Sequence, residues 1–273
     1  MTASDALREA AERLAAMSDS PRLDAELLMA HAAGVERGEL LLRLPDMAVP
    51  EGFAALVERR LAHEPVSQII GTRDFWTLRL AVTKDVLTPR PDSETLIEAA
   101  VAHFAGTQGP RTLLDLGTGS GALLLAALAE WPEARGLGVD ISPAALAVAR
   151  GNAARCGLDA RAEFAHGDWF AGVDGHFDLI LANPPYIATD AALPRDVAEY
   201  EPHGALYAGA DGLDAYRLLA PELGKHLAPG GMAAVEIGYD QGESAAALFA
   251  AKGLSVSLHN DLGGRPRCLK MML

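Results

Sequence analysis

The sequence predicts an α/β protein with a doubly wound, mostly parallel sheet, preceded by a small helical domain. From residue 111 onward, strand-like and helix-like patterns alternate, which is typical of a parallel sheet covered by helices on both faces. A glycine-rich turn follows the first of these strands, at the sheet edge where ligands bind in open α/β folds. The first sixty residues instead show the apolar spacing of helices.

The N-terminal region contains apolar residues separated by polar ones at helical intervals, and Pro21 suits the start of a helix that follows Ser20. A second amphipathic run covers 51–63. We therefore predict a helical domain over 1–63, a hairpin connector over 64–85 and a larger domain over 86–273. Within the last of these, Asp92 or Ser93 is expected to cap a following helix with its side chain.

Seven strands are predicted for the larger domain, and helical patterns separate most of them. The last two strands lack a helix between them, so the final strand is expected to be antiparallel. The predicted strands are 112–116, 136–140, 162–165, 177–182, 232–237, 255–259 and 268–272, and the clearest helices are 121–130, 143–156, 214–225 and 241–252.

Charge and composition narrow the classes of partner. The chain has 273 residues, of which 50% are hydrophobic, and its 23 basic and 37 acidic residues give a formal net charge of −14. Such a charge disfavours non-specific binding to nucleic acid or to an anionic membrane. Cys156 and Cys268 form no metal-binding spacing and no disulfide framework, as expected in a reducing compartment. We therefore predict no metal site and no direct nucleic-acid partner.

The N-terminus and the apolar runs predict a cytoplasmic protein. Asp5, Glu9 and Glu12 interrupt the first residues, whereas a secretory leader needs a basic start and an unbroken apolar stretch. The most apolar run, 122–129, ends at Glu130 and is much shorter than the ~20 residues that span a membrane. No membrane partner is expected.

The glycine-rich turn is the strongest local signal. It lies between a predicted strand and a predicted helix, where glycines permit a tight turn and a close approach of ligand to backbone. The looser dinucleotide-binding pattern is also satisfied, so a nicotinamide-dependent dehydrogenase remains an alternative. The residues of the turn are Gly117, Thr118, Gly119, Ser120 and Gly121.

Two later strand ends add two acidic residues and an aromatic one. Asp140 can accept hydrogen bonds from both hydroxyls of an adenosine ribose, or it can serve only as a helix cap. Asp168 can accept from an adenine amino group, and Trp169 can cover a flat ring or simply pack in the core. The glycine turn and Asp140 together predict an adenosine-containing cofactor without identifying it.

The tetrapeptide Asn183-Pro184-Pro185-Tyr186 follows the fourth strand directly. Two consecutive prolines have no amide donors, so the backbone carbonyls there face outward as acceptors. Asn183 adds a side-chain carbonyl and Tyr186 adds an aromatic face. Acceptors beside an aromatic wall suit a planar NH₂ group and offer nothing for hydride transfer.

In this order, these features resemble the S-adenosylmethionine-dependent amino-group methyltransferases that act on DNA adenine, rRNA guanine or protein glutamine. Longer stretches are similar to the release factor glutamine methyltransferases of the HemK/PrmC type, and the similarity includes the helical domain, which generic methyltransferases lack. Ser93 stands where threonine is common in that family, and Thr88 stands where an aliphatic residue is usual. The similar stretches are 20–28, 64–76, 89–94, 200–202 and 212–214.

The resemblance implies a Rossmann-like methyltransferase that uses S-adenosyl-L-methionine to methylate N5 of the glutamine in the Gly-Gly-Gln motif of bacterial class 1 release factors. It implies that residues 117–121, Asp140, Trp169 and Asn183 hold the cofactor and that 183–186 hold the glutamine. The helical domain would dock the release factor, and the enzyme is expected to act as a monomer. An amino-group methyltransferase of DNA adenine or rRNA guanine is the main alternative, and a non-catalytic adaptor is another.

Overall fold

The computed structural model describes residues 2–273, which divide into two compact units. The first unit runs to Thr72 and also includes Leu193–Tyr200, while the second comprises Arg73–Ala192 and Glu201–Leu273. This division differs from the predicted boundaries after residues 63 and 85. The expected connector is split between the two units, and its first half contains a helix, Val66–Ile70, that the hairpin prediction did not include.

Helices make up the first unit and flank the sheet of the second. The first helix begins with a capping box, in which the Thr2 hydroxyl accepts from the Asp5 amide at 3.1 Å and the Asp5 carboxylate accepts from the Thr2 amide. The helices are α1 (Ala3–Leu14), α2 (Pro21–Ala33), α3 (Arg37–Arg43), α4 (Phe53–Leu61), α5 (Val66–Ile70), α6 (Glu94–Phe104), α7 (Ala122–Glu130), α8 (Pro143–Arg155), α9 (Arg195–Ala198), α10 (Asp214–His226) and α11 (Gly242–Ala250).

The first unit has an apolar core and a buried ion pair, in which the Arg60 guanidinium lies 2.9 Å from the Asp24 carboxylate. The distant segment Leu193–Tyr200 is bonded into this unit. The Tyr200 hydroxyl donates to the Ala62 carbonyl at 2.9 Å, and the Gln68 side chain donates to the Tyr200 carbonyl at 2.9 Å. No pattern in the sequence predicts this association.

The second unit is built on a seven-stranded sheet. The strands are β1 (Thr72–Phe75) and β2 (Leu78–Ala81) of a separate hairpin, then β3 (Thr112–Leu116), β4 (Arg135–Asp140), β5 (Ala162–His166), β6 (Phe177–Ala182), β7 (Leu227–Glu236), β8 (Ser255–Asn260) and β9 (Pro266–Met272). The sheet has the spatial order β5-β4-β3-β6-β7-β9-β8, and its strands are parallel except β9, which pairs antiparallel with β7 and β8. The predicted fold class, with seven strands and an antiparallel last strand, is therefore confirmed.

Both faces of the central strands are buried. Successive side chains of a strand point to opposite faces, and in β3 Leu113 belongs to one apolar cluster while Leu114 belongs to the other. The chain order reverses at β3, because β4 pairs on one side of it and β6 on the other. The carboxyl ends of β3 and β6 therefore lie at the switch point, where α/β sheets bind ligands.

One predicted cap does not form. Ser93 precedes α6, but its side chain makes no capping hydrogen bond. Instead its hydroxyl donates to the carboxylate of Glu236, and Asp92 pairs with Arg267 at 3.1 Å. A buried carboxylate accepts a charge-assisted hydrogen bond, which is stronger than a neutral cap, and this explains why the tertiary contact wins.

Candidate active site

The glycine turn at the end of β3 is held against the end of β4. The Gly117 and Thr118 amides both donate to the Val139 carbonyl, at 2.8 and 3.0 Å. Gly117, Gly119 and Gly121 have φ angles of 69°, 55° and 82°, which favour glycine. The turn needs these residues because the chain must reverse into α7 within a few positions.

Asp140 ties the turn to the start of α8. Its Oδ2 atom accepts from the Gly119 amide at 2.8 Å, and its Oδ1 atom accepts from the Ser142 amide at 2.8 Å. The helix cap itself comes from Ser142, whose hydroxyl accepts from the Ala145 amide. Each carboxylate oxygen has a second lone pair, so Asp140 can still accept hydrogen bonds from a ligand.

Asp168 and Trp169 follow β5. Trp169 has a φ of 50°, and this left-handed conformation is uncommon for a large residue and marks functional sites. A Cβ atom added to Gly117 would lie 3.4 Å from the Trp169 ring, so the indole packs beside the glycine turn. Asp168 is exposed at the same edge.

Asp115 is a site residue that the sequence prediction missed. It lies in β3 among leucines, and its Oδ2 atom accepts from the Thr118 hydroxyl at 2.6 Å. Among residues 2–273 its buried Oδ1 atom has no partner. Burial is the main cause that raises the pKa of this carboxyl to about 7. An acidic residue inside an apolar strand was the available signal.

The tetrapeptide lies where β6 ends, and side chains from two other elements support it. The Asn183 Nδ2 atom donates to the Ser93 hydroxyl at 3.1 Å. The Tyr186 hydroxyl donates to Glu236 Oε1 at 3.3 Å, and burial raises the pKa of this tyrosine. Neither Ser93 nor Glu236 was predicted as a site residue, although Glu236 also interrupts an apolar strand.

A cavity of about 530 Å³ extends from the glycine turn after β3 to Asn183 after β6. Most of the predicted residues line it, together with Asp115, Ser93 and Arg90, whereas Gly121, Pro184 and Tyr186 are outside its lining. The predicted residues in the lining are Gly117, Thr118, Gly119, Ser120, Asp140, Asp168, Trp169, Asn183 and Pro185.

Two kinds of feature are absent from the described part of the chain. Between residues 2 and 273, no group of three or more His, Cys, Asp or Glu side chains is arranged to hold a metal ion. No helix in that range combines the length and apolarity needed to cross a membrane.

Comparisons with known proteins identify the family. Residues 5–71 match the PrmC N-terminal domain, and residues 93–199 match the methyltransferase small domain. The release factor glutamine methyltransferase of Cereibacter sphaeroides is 50% identical, and the match covers 100% of this chain and 99% of that protein. The protein of the same name from Rhodospirillum rubrum is 49% identical over 92% of this chain and 78% of that protein.

Among solved structures, a methyltransferase from Pyrococcus furiosus shares the fold. It has a TM-score of 0.56 at 20% identity, with 78% of this chain and 98% of that chain covered. The full-length sequence matches, both domain matches and the methyltransferase sheet agree: this chain belongs to the release factor glutamine methyltransferase family.

Proposed function

We propose that this chain transfers a methyl group from S-adenosyl-L-methionine to N5 of the glutamine in the Gly-Gly-Gln motif of release factors. The observation that carries the proposal is the orientation of the Asn183 amide. Its Nδ2 atom donates to Ser93, and within residues 2–273 its Oδ1 atom accepts no hydrogen bond. A free acceptor in the cavity wall suits the N–H groups of a planar amide.

The residues present fit the cofactor. The cavity volume of about 530 Å³ lies in the range of roughly 300–1,000 Å³ that is usual for small-molecule sites. Asp115, Asp140 and Asp168 line it, so three carboxylates face a ligand that carries a positive sulfonium and an ammonium group. The Asp115 Oδ1 atom is buried and lacks a partner in the described chain, and a cationic group would satisfy it.

Each cofactor-binding residue has a separate role. Asp140 would accept from the ribose hydroxyls, Trp169 would cover the adenine ring, and Asp115 would accept from the ammonium group. The glycine turn keeps side chains out of the space beside Trp169. When bound, S-adenosyl-L-methionine supplies an electrophilic methyl group on a sulfonium.

The tetrapeptide would hold the glutamine nitrogen. The lone pair of a primary amide is delocalised into its carbonyl, so the nitrogen is a weak nucleophile. Asn183 Oδ1 and the Pro184 carbonyl would accept its two N–H bonds, orient the nitrogen and stabilise its developing positive charge. As the new N–C bond formed, the C–S bond would break, with its electron pair going to sulfur.

The proton would leave the nitrogen after methyl transfer. Tyr186 cannot serve as a base near neutral pH, because burial raises the pKa of its hydroxyl. We assign Tyr186 a stacking role against the amide plane, which does not require proton transfer. Its hydroxyl is bonded to Glu236 and fixes the ring.

The decisive experiment incubates the purified chain with an intact release factor and methyl-labelled S-adenosyl-L-methionine. Peptide mass spectrometry should find one methyl group on the glutamine of the Gly-Gly-Gln motif and none when that glutamine is replaced by alanine. Ribosomal RNA and adenine-containing DNA serve as competing substrates. Label on either nucleic acid, with none on the factor, would establish the alternative. Absence of label on all three would favour an adaptor.

The helical unit is proposed to dock the release factor. Leu42 on α3 is 85% exposed, which makes it a suitable probe of a protein contact. Leu42→Glu should raise the KM for the release factor and leave the affinity for S-adenosylhomocysteine unchanged. An unchanged KM would exclude this part of the unit from docking.

Two further expectations accompany the proposal. The enzyme is expected to act as a monomer in the cytoplasm, where its release factor substrate works. Sedimentation of the active enzyme at assay concentration would test the oligomeric state.

A further inference from the structure

A buried series of hydrogen bonds runs from Glu236 through Ser93 to Asn183, behind the tetrapeptide, and is called the relay below. Glu236, the last residue of β7, is 1% exposed, and its Oε2 atom accepts from the Ser93 hydroxyl at 2.5 Å. The Ser93 oxygen in turn accepts from Asn183 Nδ2 at 3.1 Å. These three residues come from β7, from the turn before α6 and from the end of β6, so only the fold brings them together.

The direction of the relay is fixed by the ionised carboxylate. An ionised carboxylate can only accept, so the single hydroxyl hydrogen of Ser93 must point to Glu236. The lone pairs of Ser93 are then left to accept, and only the NH₂ end of the Asn183 amide can donate to them. The Oδ1 atom of Asn183 is therefore turned away from Ser93.

Without this support both orientations of the amide would be available. The oxygen and nitrogen of an asparagine side chain have similar size, and hydrogen-bond partners decide between them. The reversed amide would present NH₂ to the NH₂ of a substrate, and two donors cannot bond. The orientation thus decides whether the site accepts or repels an amino group.

The same carboxylate also fixes the other end of the tetrapeptide. Its Oε1 atom accepts from the Tyr186 hydroxyl at 3.3 Å. Gln241 adds a second tie, because its Nε2 atom donates to the Tyr186 carbonyl at 2.9 Å. Burial raises the pKa of Glu236 to about 7 and the nearby Arg267 opposes that rise, so the carboxylate is ionised above about pH 7. Glu236 therefore holds both Tyr186, directly, and Asn183, through Ser93.

We propose that Glu236, acting through Ser93, is a positioning residue that orients the Asn183 amide with Oδ1 toward the substrate nitrogen. The expected effect of this orientation on kcat rests on the proposed function. The orientation itself is a property of the unliganded protein and can be measured without substrate. Neither Glu236 nor Ser93 touches the reacting atoms in this assignment.

The test compares Ser93→Ala with Ser93→Thr, which keeps the hydroxyl. Ser93→Ala should lower kcat about 10- to 100-fold, whereas KM for the release factor and the Kd of S-adenosylhomocysteine stay within about threefold. Ser93→Thr should retain most of the rate. Glu236→Gln should resemble Ser93→Ala, because a glutamine amide can donate to Ser93 and permit the reversed relay. Ser257→Ala, on the exposed face of β8, controls for the loss of a hydroxyl elsewhere.

A structural measurement separates this proposal from the proposed function. The measurement is NMR of the unliganded enzyme, with the Asn183 side-chain NH₂ signals assigned by means of an Asn183 variant. One of these two protons should exchange slowly with solvent, and its exchange should become fast in Ser93→Ala. Unchanged signals would overturn the relay, as would equal losses of kcat in Ser93→Ala and Ser93→Thr or a parallel loss of S-adenosylhomocysteine binding. If the wild-type chain fails to methylate a release factor, the proposed function fails, and the NH₂ signals still decide the relay.

Discussion

The two sides of the cavity are built in different ways. On the side that we propose binds the cofactor (the cofactor side), the turn of residues 117–121 is bonded to the next strand along the chain, and Asp140 accepts from an amide only 21 positions away. On the side that we propose binds the glutamine (the substrate side), Asn183 bonds to Ser93, which is 90 positions away, and Ser93 bonds to Glu236 across 143 positions. The first side is made of near neighbours, and the second depends on distant elements.

This difference separates binding from orientation. The cofactor side consists mainly of backbone amides and acidic groups, which can hold a ligand with modest demands on side-chain direction. The substrate side depends on which end of one amide faces the cavity. Variants on the first side should therefore change affinity, and variants on the second should change the rate at saturation.

The largest effect is expected from Asn183→Ala, which removes the acceptor itself. It should lower kcat about 100- to 1,000-fold, the range found when one donor or acceptor at a reacting centre is lost. The Kd of S-adenosylhomocysteine, measured by calorimetry, should change less than about threefold. Asn260→Ala at the exposed end of β8 is the control. Comparable losses in rate and in affinity would contradict the separation.

Asp140→Ala should act in the opposite way. It removes a carboxylate that orders the Gly119 amide and would bind the ribose, so the Kd of S-adenosylhomocysteine should rise about 10- to 100-fold. Titration calorimetry measures the Kd, and kcat at saturating cofactor should stay near the wild-type value. Asp159→Ala, at an exposed turn, is the matched control. A large fall in kcat with unchanged affinity would reverse our assignment of this side.

The pH dependence of kcat and KM should also distinguish the two sides of the cavity. Burial is the main cause that raises the pKa of Glu236 to about 7, while Ser93, Arg267 and Tyr186 favour its charged form and Asp92 opposes it. Above about pH 7 the carboxylate is ionised and the relay has one direction. Below it, the protonated acid can donate to Ser93, so kcat should fall toward a tenfold loss per pH unit.

The two sides can be distinguished in that profile. The pKa of Asp115 is also raised to about 7, but its protonation should weaken cofactor binding and appear in the KM for S-adenosyl-L-methionine. Steady-state kinetics of Glu236→Gln across neutral pH should show a low kcat that varies little with pH. The pH dependence of the KM for S-adenosyl-L-methionine should be the same as in the wild type. A wild-type kcat that does not vary with pH would count against the relay.

The smallest effect is expected from Tyr186→Phe. Its hydroxyl lies 3.3 Å from Glu236, a long hydrogen bond, so its loss should lower kcat only about two- to fivefold. Tyr186→Ala removes the ring and should cost much more. Initial rates on the intact release factor measure both. If the phenylalanine variant were as impaired as the alanine variant, the hydroxyl and not the aromatic face would be the essential group.

Local patterns were sufficient for most of the fold. Alternating strands and helices predicted the seven-stranded sheet, because burial on both faces produces continuous apolar strands. The missing helix between the last two strands predicted the antiparallel last strand. Local patterns were a weaker guide to the domain boundaries. Leu193–Tyr200 joins the helical unit through Tyr200 and Gln68, and no composition or periodicity marks such a contact.

The same limit applies to the site. Gly117, Asp140, Trp169 and Asn183 could be named because each lies at or shortly after the end of a predicted strand, and the ends of parallel strands meet at one edge. Their ligand roles remain proposals. Asp92 or Ser93 was predicted as a helix cap because both precede a predicted helix, and nothing in the local sequence indicates the contact of Ser93 with Glu236.

Local sequence patterns are enough to specify the sheet, the edge that carries the site and the types of residue at that edge, because these follow from periodicity and from where strands end. The direction in which the Asn183 amide faces is set by tertiary contacts instead. That choice depends on a hydroxyl and a carboxylate brought from distant parts of the chain into a buried network, where every donor must find an acceptor.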